Sequence, residues 1–303
     1  MTGTYWGIDM GGTKIEGAVF QIKPELKVLS RIRVDTEQQF GYEHILGQFK
    51  KLVDQLKGAT GINPEVIGVG TPGAIDLYTK KIKNSNTQCI IGKPMNEDLE
   101  KILGAKVYMG NDANCFAFAE TLLGAVPEYV KNPEVVFGII MGTGVGGGIV
   151  VHNRLINGLH GIAGEWGHNP LADDGELCYC GHKACVETFI SGPATEKYYF
   201  NLTGQRLKAT DIYTKSLEGD SYALQTIDRL LEYYGKAVAR IINILDPEVI
   251  VIGGGLSKID RLYSEGKEYI VKYLFNKDLN TKIIRPKLGD SAGVIGAGLL
   301  TPH

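Results

Sequence analysis

Short apolar runs broken by glycine set the rhythm of this chain. The run YWGIDM (5–10) is rich in strand-forming residues, meets a Gly-Gly pair and is followed by a second run, EGAVF (16–20). Two such runs about a glycine turn predict a β-hairpin, and KVLSRIRV (27–34) supplies a third strand. Between Tyr42 and Leu56 the period changes: Ile45, Phe49, Leu52, Val53 and Leu56 recur at helical spacing. EVIGVGTPG (65–73) reads as a strand ending in a loop of glycine and proline, and KVYMGND (106–112) as a further strand. The compact helix ANCFAFAETLLG (113–124) follows, with Asn111 or Asp112 as its N-cap. The run EVVFGIIMGTGVGGGIVV (134–151) is again strand, glycine turn, strand. A long helix is predicted over 224–246, with Leu224, Ile227, Leu231, Tyr234, Val238, Ile241, Ile242 and Leu245 on one broad face. PEVIVIGGGLS (247–257) is a strand running into three glycines, and SAGVIGAGLL (291–300) a small-residue helix built for close packing. The pattern is α/β, and it opens on antiparallel strands.

The hairpin at 134–151 echoes the first one, down to a Gly-Thr pair at each turn: Gly12-Thr13 and Gly142-Thr143. Two copies of a strand–glycine–strand unit predict two related domains facing a shared cleft. The chain of 303 residues is long enough for both. Its net charge of -2 gives no reason to expect a nucleic-acid or membrane partner. The start has no basic segment leading into an apolar run, and no stretch reaches the roughly 18 apolar residues of a membrane span. Five cysteines, an odd count, weigh against a disulfide framework, so a cytoplasmic protein is expected.

Three glycine clusters, at 11–12, 142–148 and 253–255, each follow an apolar strand. Bare backbone N–H groups in such turns can cradle phosphate. Asp9 can organise a hydrated magnesium ion, which takes carboxylate and water oxygens, and Thr13 can donate from its hydroxyl. The bland alternative is a hairpin whose glycines only permit positive φ. None of the clusters is a P-loop. Gly142 to Gly147 matches GxGxxG, but Ile149 and Val150 continue as strand where a dinucleotide fold needs a helix. In NDAN (111–114) the carboxylate of Asp112 can take a proton from a hydroxyl nucleophile, or the same residues can merely cap the helix.

CYCGHKACVE (178–187) gathers three cysteines, Cys178, Cys180 and Cys185, spaced two and five apart. The types and spacing point to zinc, which closes tetrahedrally in structural sites and leaves a place for water in catalytic ones. Two histidines compete for the fourth position. His182 lies inside the loop, and His168 lies ten residues before Cys178, at a small cost in loop closure.

Taken together these segments resemble the ROK family of bacterial sugar kinases and repressors, over essentially the whole chain. GIDMGGTKIEGAVF resembles its first phosphate segment, IIMGTGVGGGIVVHNRLINGLHGIAGEWGH its long signature, CYCGHKACVE its zinc loop and VIGGG its adenosine-side segment. The resemblance implies an α/β, actin-like (ribonuclease H-like) ATPase fold with two domains around an interdomain cleft. Residues 1–114 with a C-terminal helix at about 289–303 would form the smaller domain, and 115–288 the larger one with the zinc loop. It implies ATP, Mg2+ and a structural Zn2+, a sugar substrate and a homodimer or tetramer. By the same resemblance Asp112 is the catalytic base. Asn111, Glu165, His168, Glu187, Asn86, Gly70 and Thr71 line the sugar. Asp9, Gly12, Thr13, Lys14, Thr143 and Gly144 serve phosphate and magnesium, and Gly254 and Gly255 lie on the adenine side. His168 joins Cys178, Cys180 and Cys185 on the metal, since His182 stands at a variable position.

One residue departs from the family pattern. Ala184 stands where a glycine is usual, and alanine tolerates positive φ poorly. The expected reaction is transfer of the γ-phosphoryl of ATP to a primary hydroxyl, with O6 of glucose or N-acetylglucosamine as first candidates; fructose and N-acetylmannosamine are the alternatives. A repressor of the same family would carry a DNA-binding domain before the first phosphate segment; with Asp9 at the ninth position, a kinase is expected instead. A zinc hydrolase would need an open ligand position, which three thiolates and a histidine do not leave.

Overall fold

The computed structural model describes residues 3–76 and 78–302. It divides into two compact units: the chain up to Gly124, with Leu155–Ala163 and the chain from Leu288, forms the first, and Ala125–Arg154 with Gly164–Lys287 the second.

In the first unit β1 (Thr4–Met10) pairs antiparallel with β2 (Lys14–Gln21), and β2 with β3 (Lys27–Asp35). Helix α1 (Tyr42–Thr60) leads to β4 (Val66–Thr71), parallel to β1. A small ribbon of β5 (Ala74–Ile75) and β6 (Ile82–Lys83) and helix α2 (Met95–Leu103) precede β7 (Lys106–Asn111), parallel to β4. Helix α3 (Asp112–Leu122) follows at once, so it lies whole in this unit. Strand alternation divides β1 between two faces. Ile8 and Met10 join Ile45, Phe49, Leu52 and Leu56 of α1 in one core. Gly7 turns to the other face, where the C-terminal helix α10 (Ala292–Leu299) lies against the sheet. A methyl group on Gly7 or Gly68 would fall within 2 Å of a carbonyl oxygen of α10, so these glycines are what let the helix approach.

The second unit repeats the plan. It contains α4 (Val126–Tyr129), β8 (Val135–Met141), β9 (Val145–Val151) and the first residue of the sheet's edge strand β10 (Arg154–Ile156). Then come α5 (Glu187–Ile190), α6 (Gly192–Thr203), α7 (Ala209–Leu217), α8 (Ser221–Leu245), β11 (Val249–Gly253), α9 (Gly266–Val271) and β12 (Lys282–Ile284). Its sheet runs β10-β9-β8-β11-β12 and the first runs β3-β2-β1-β4-β7. Each begins with an antiparallel hairpin and adds two parallel strands beside the hairpin's first strand. The echo seen in the glycine turns thus extends to strand order.

Helix α8 starts on an Asp220 cap, whose carboxylate accepts from Ala223 N at 2.8 Å, and ends at Asp246 in the left-handed region. Its buried stripe is rotated at the N-terminal end. Ala223, Thr226 and Ile227 are buried, whereas Leu224, expected on the apolar face, is 38% exposed. Among the described residues no helix is long and apolar enough to cross a membrane.

Candidate active site and metal centre

Three adjacent parallel strands of the first unit end side by side, and their ends carry the predicted residues. Register places Asp9 opposite Gly70 and Thr71 opposite Asn111. Ligands of open α/β sheets gather at such carboxyl ends. Asn111 is the N-cap of α3: its Oδ1 accepts from Ala113 N at 2.9 Å, and its Nδ2 donates to the Gly73 carbonyl at 3.0 Å. That second bond ties the TPG loop to the helix start. Gly73, at φ 91°, packs in turn on Lys83 and Ser85, next to the exposed Asn86. With Asn111 as cap, Asp112 is the first residue of the helix, and one oxygen accepts from Ala113 N at 2.8 Å.

Asp112 acts on Asp9. Burial, then the charges of Asp112 and Glu16, push Asp9 up to about 7. Burial also raises Asp112, while the Ala113 N–H pulls the other way. Gly70 and Gly293 leave the space Asp9 occupies: a methyl group on Gly293 would sit 2.5 Å from Asp9 Oδ2. Sequence reasoning passed over Glu16, which faces Asp9 directly across the hairpin and is bound by Arg31 and Arg33 of β3. Lys14 stands two residues before Glu16 on the same face of β2. It lines a polar hollow of about 380 Å³ with Arg33, Asp35, Gln48 and Lys51.

The glycine turns separate into structural and bare positions. Gly254 needs glycine, with φ 82° and the Met141 carbonyl where a Cβ would go. Gly144 makes room for Glu187, whose Oε2 accepts from Val145 N at 2.9 Å. Gly12, Gly142 and Gly255 need it for neither reason. None has a left-handed φ, Gly142 and Gly255 have no atom within 4 Å of a built Cβ, and for Gly12 the nearest lies at 3.8 Å. Positive φ therefore does not explain the first turn. Around it, Gly11 N donates to Lys14 O at 2.8 Å, and the buried Thr36 donates from Oγ1 to Gly11 O at 2.7 Å.

In the second unit the GEWGH segment docks on β9. Trp166 Nε1 donates to Gly146 O at 3.0 Å, and Gly167 fits flush against the Val145 carbonyl. This delivers His168 to the cysteines. One donor atom each from His168, Cys178, Cys180 and Cys185 lies within 4.8 Å of the others, and His182 is not among them. His168 Nδ1 is 3.5 Å from Cys178 Sγ, and the sulfurs of Cys180 and Cys185 are 3.6 Å apart. Metal–sulfur bonds of about 2.3 Å at tetrahedral angles put sulfurs roughly 3.8 Å apart, so the set fits a four-coordinate metal of the zinc type. The knuckle turns on Gly181 at φ 91° and on Ala184 at φ 58°. The expected strain at Ala184 is thus present, and Gly175, where a Cβ would meet the Ala184 methyl at 2.9 Å, leaves room for it.

Two cavities of the second unit lie close by in sequence. One, of about 210 Å³, is bordered by Thr143, Cys178, Tyr179, Glu187 and Lys197. A larger one, of about 650 Å³, opens between α6 and α7, where Arg206 stacks over the Phe200 ring at 4.7 Å. No motif pointed to it.

The sequence model of the ROK family matches residues 5–303. The chain belongs to the ROK family. Among relatives, it is 36% identical over 306 residues to the N-acetyl-D-glucosamine kinase of Aliivibrio fischeri, covering 98% of each chain. It is likewise 36% identical to the enzyme of the same name from Vibrio cholerae, over 98% of this chain and 99% of that one. Among solved structures it is similar to the ROK hexokinase of Thermus thermophilus, with TM-score 0.86, 30% identity and coverage of 99% and 98%. A ROK family glucokinase from Streptomyces griseus in complex with glucose and AMPPNP gives TM-score 0.83 at 26% identity, covering 99% of both chains. The two α/β units are those of the actin-like hexokinase and ROK fold.

Proposed function

We propose that this ROK protein transfers the γ-phosphoryl group of ATP to a primary hydroxyl of a hexose, with O6 of N-acetyl-D-glucosamine as the first substrate to test. The observation that carries this reading is the placing of Asp9 and Asp112 at the carboxyl end of one parallel sheet, on the two strands that flank β4, with bare glycines at the hairpin turns. A hydroxyl nucleophile needs a base, and Asp112, raised by burial, holds a proton more readily than an ordinary carboxylate. Its fixed place at the first position of α3 orients it, and Asn111 locks that place by capping. Phosphoryl transfer passes through a loose transition state, so positioning and charge stabilisation carry most of the catalysis. The N–H groups at Gly12-Thr13 and Gly142–Gly144 can approach phosphate oxygens because no side chain shields them at Gly12 and Gly142.

Asp9 is the group to hold hydrated magnesium, which when bound neutralises phosphate charge. The charge of the cation would also offset the effect of Asp112 and so lower the pKa of Asp9. His168, Cys178, Cys180 and Cys185 would hold zinc, whose part is structural: it ties the GEWGH segment to the loop that leads into Glu187. Glu165, His168 and Glu187 then face the sugar hydroxyls as a unit. Kinship with N-acetyl-D-glucosamine kinases at 36% identity over nearly the full length is the reason to test that sugar first. A coupled ADP-release assay across glucose, fructose, mannose, N-acetylglucosamine and N-acetylmannosamine tests this. The largest kcat/KM is expected with N-acetylglucosamine; a different best sugar would correct the substrate, and turnover with none would overturn the kinase reading.

A further inference from the structure

The hydroxyl of Tyr179 lies 3.1 Å from Nε2 of His168, and the two rings meet edge to face at 5.1 Å. Tyr179 stands between two of the metal-binding cysteines, and its side chain is among the groups bordering the small cavity with Thr143 and Glu187. A histidine that gives one ring nitrogen to a metal carries its proton on the other. Here Nδ1 is the nitrogen beside the thiols, so with a metal held there Nε2 would carry the N–H and the phenol oxygen would accept it. Glu165 is 3.9 Å from the same nitrogen, beyond hydrogen-bond distance.

We propose that Tyr179 sets the affinity of this site for its sugar by occupying His168 Nε2 until a sugar hydroxyl displaces it. The proposal rests on the sugar-contacting role given to His168 above. One N–H serves one good acceptor, so a sugar oxygen bound there takes the place of the phenol. Tyr179 is 63% exposed, and its ring can swing into water without uncovering the core. Binding therefore exchanges one hydrogen bond for another, and the sugar loses the benefit of a free donor.

Removing the phenol oxygen should return that benefit, worth about 2- to 10-fold in affinity for a neutral hydrogen bond. The test is Tyr179→Phe, which keeps the ring, compared with wild type by calorimetric titration of N-acetylglucosamine in the absence of ATP, and by steady-state kinetics. The expected result is a Kd and a sugar KM lower by about 2- to 10-fold, with kcat, the KM for ATP and the zinc content unchanged. Tyr179→Ala, which also removes the ring, should shift the Kd in the same direction. An unchanged or weaker sugar affinity in Tyr179→Phe, with zinc retained, would overturn the proposal while leaving the kinase reading intact. A wild-type protein that binds and phosphorylates no sugar would overturn both.

Discussion

Gly142 has room for a methyl group and no need of left-handed backbone, yet glycine stands there. The proposed approach of a phosphate to the bare turn accounts for it. Gly142→Ala should therefore leave thermal stability within about 0.5 kcal/mol of wild type while raising the KM for ATP at least roughly 10-fold, as expected when a well-placed contact is lost. Unchanged ATP kinetics in a normally folded variant would remove this turn from the phosphate site. Asp9 makes a second prediction at this scale. Its folded value of about 7 exceeds the ordinary 3.8, so the folded protein holds the proton more tightly than the unfolded chain does. That contribution to stability is complete below the lower value and is lost as the pH rises through the higher one. Without divalent cations, Asp9→Asn should melt above wild type at pH 8, by the equivalent of about 1–2 kcal/mol once partial solvent contact is allowed for. The gap should close towards pH 4. Parallel melting profiles across that range would show that Asp9 is not held in a charge-repelling recess.

The zinc loop shows at the scale of an element what could be read in the sequence and what could not. The three cysteines and the glycine of the knuckle were legible, and so was the anomaly at Ala184, because a required φ is a local property. The choice between His168 and His182 was not legible from spacing, because it depends on the docking of Trp166 and Gly167 on β9, a contact distant in sequence. Helix α2 escaped notice although Met95, Leu99 and Leu103 are buried at helical spacing and Gly104 closes it; nine residues are a short run for a periodic signal. The cavity between α6 and α7 left no trace, since it arises from the packing of two unremarked helices. For Ala184 two effects oppose. Left-handed backbone costs an alanine about 1–2 kcal/mol, and its buried methyl returns about 0.8 kcal/mol. Ala184→Gly should thus change stability by less than about 1 kcal/mol, whereas Ala184→Val, β-branched and pressed on Gly175, should cost more than about 2 kcal/mol and lower zinc retention. Thermal melts with metal analysis check both, and a Val variant as stable as wild type would contradict the observed strain.

At the scale of the whole molecule, the two hairpins with their Gly-Thr turns were enough to anticipate two α/β units. The shared strand order adds that each unit offers the same kind of strand end. In the first, that end holds Asp9 and Asp112; in the second, Gly142 and Gly255. Kinship with the ROK family covers the fold, while the roles of single residues rest on the chemistry argued above. The central claim is that Asp112 takes the proton of the attacking hydroxyl. It is tested most directly by the single-turnover rate of Asp112→Asn with ATP and N-acetylglucosamine, measured beside the sugar Kd of the same variant. Asparagine preserves the shape and cannot accept the proton. The rate should fall by about 10²- to 10⁴-fold, as for loss of a general base, with the Kd for sugar within about 3-fold of wild type, because a lost base is felt in the transition state more than in the bound state. A rate near that of wild type, with sugar binding intact, would contradict the account.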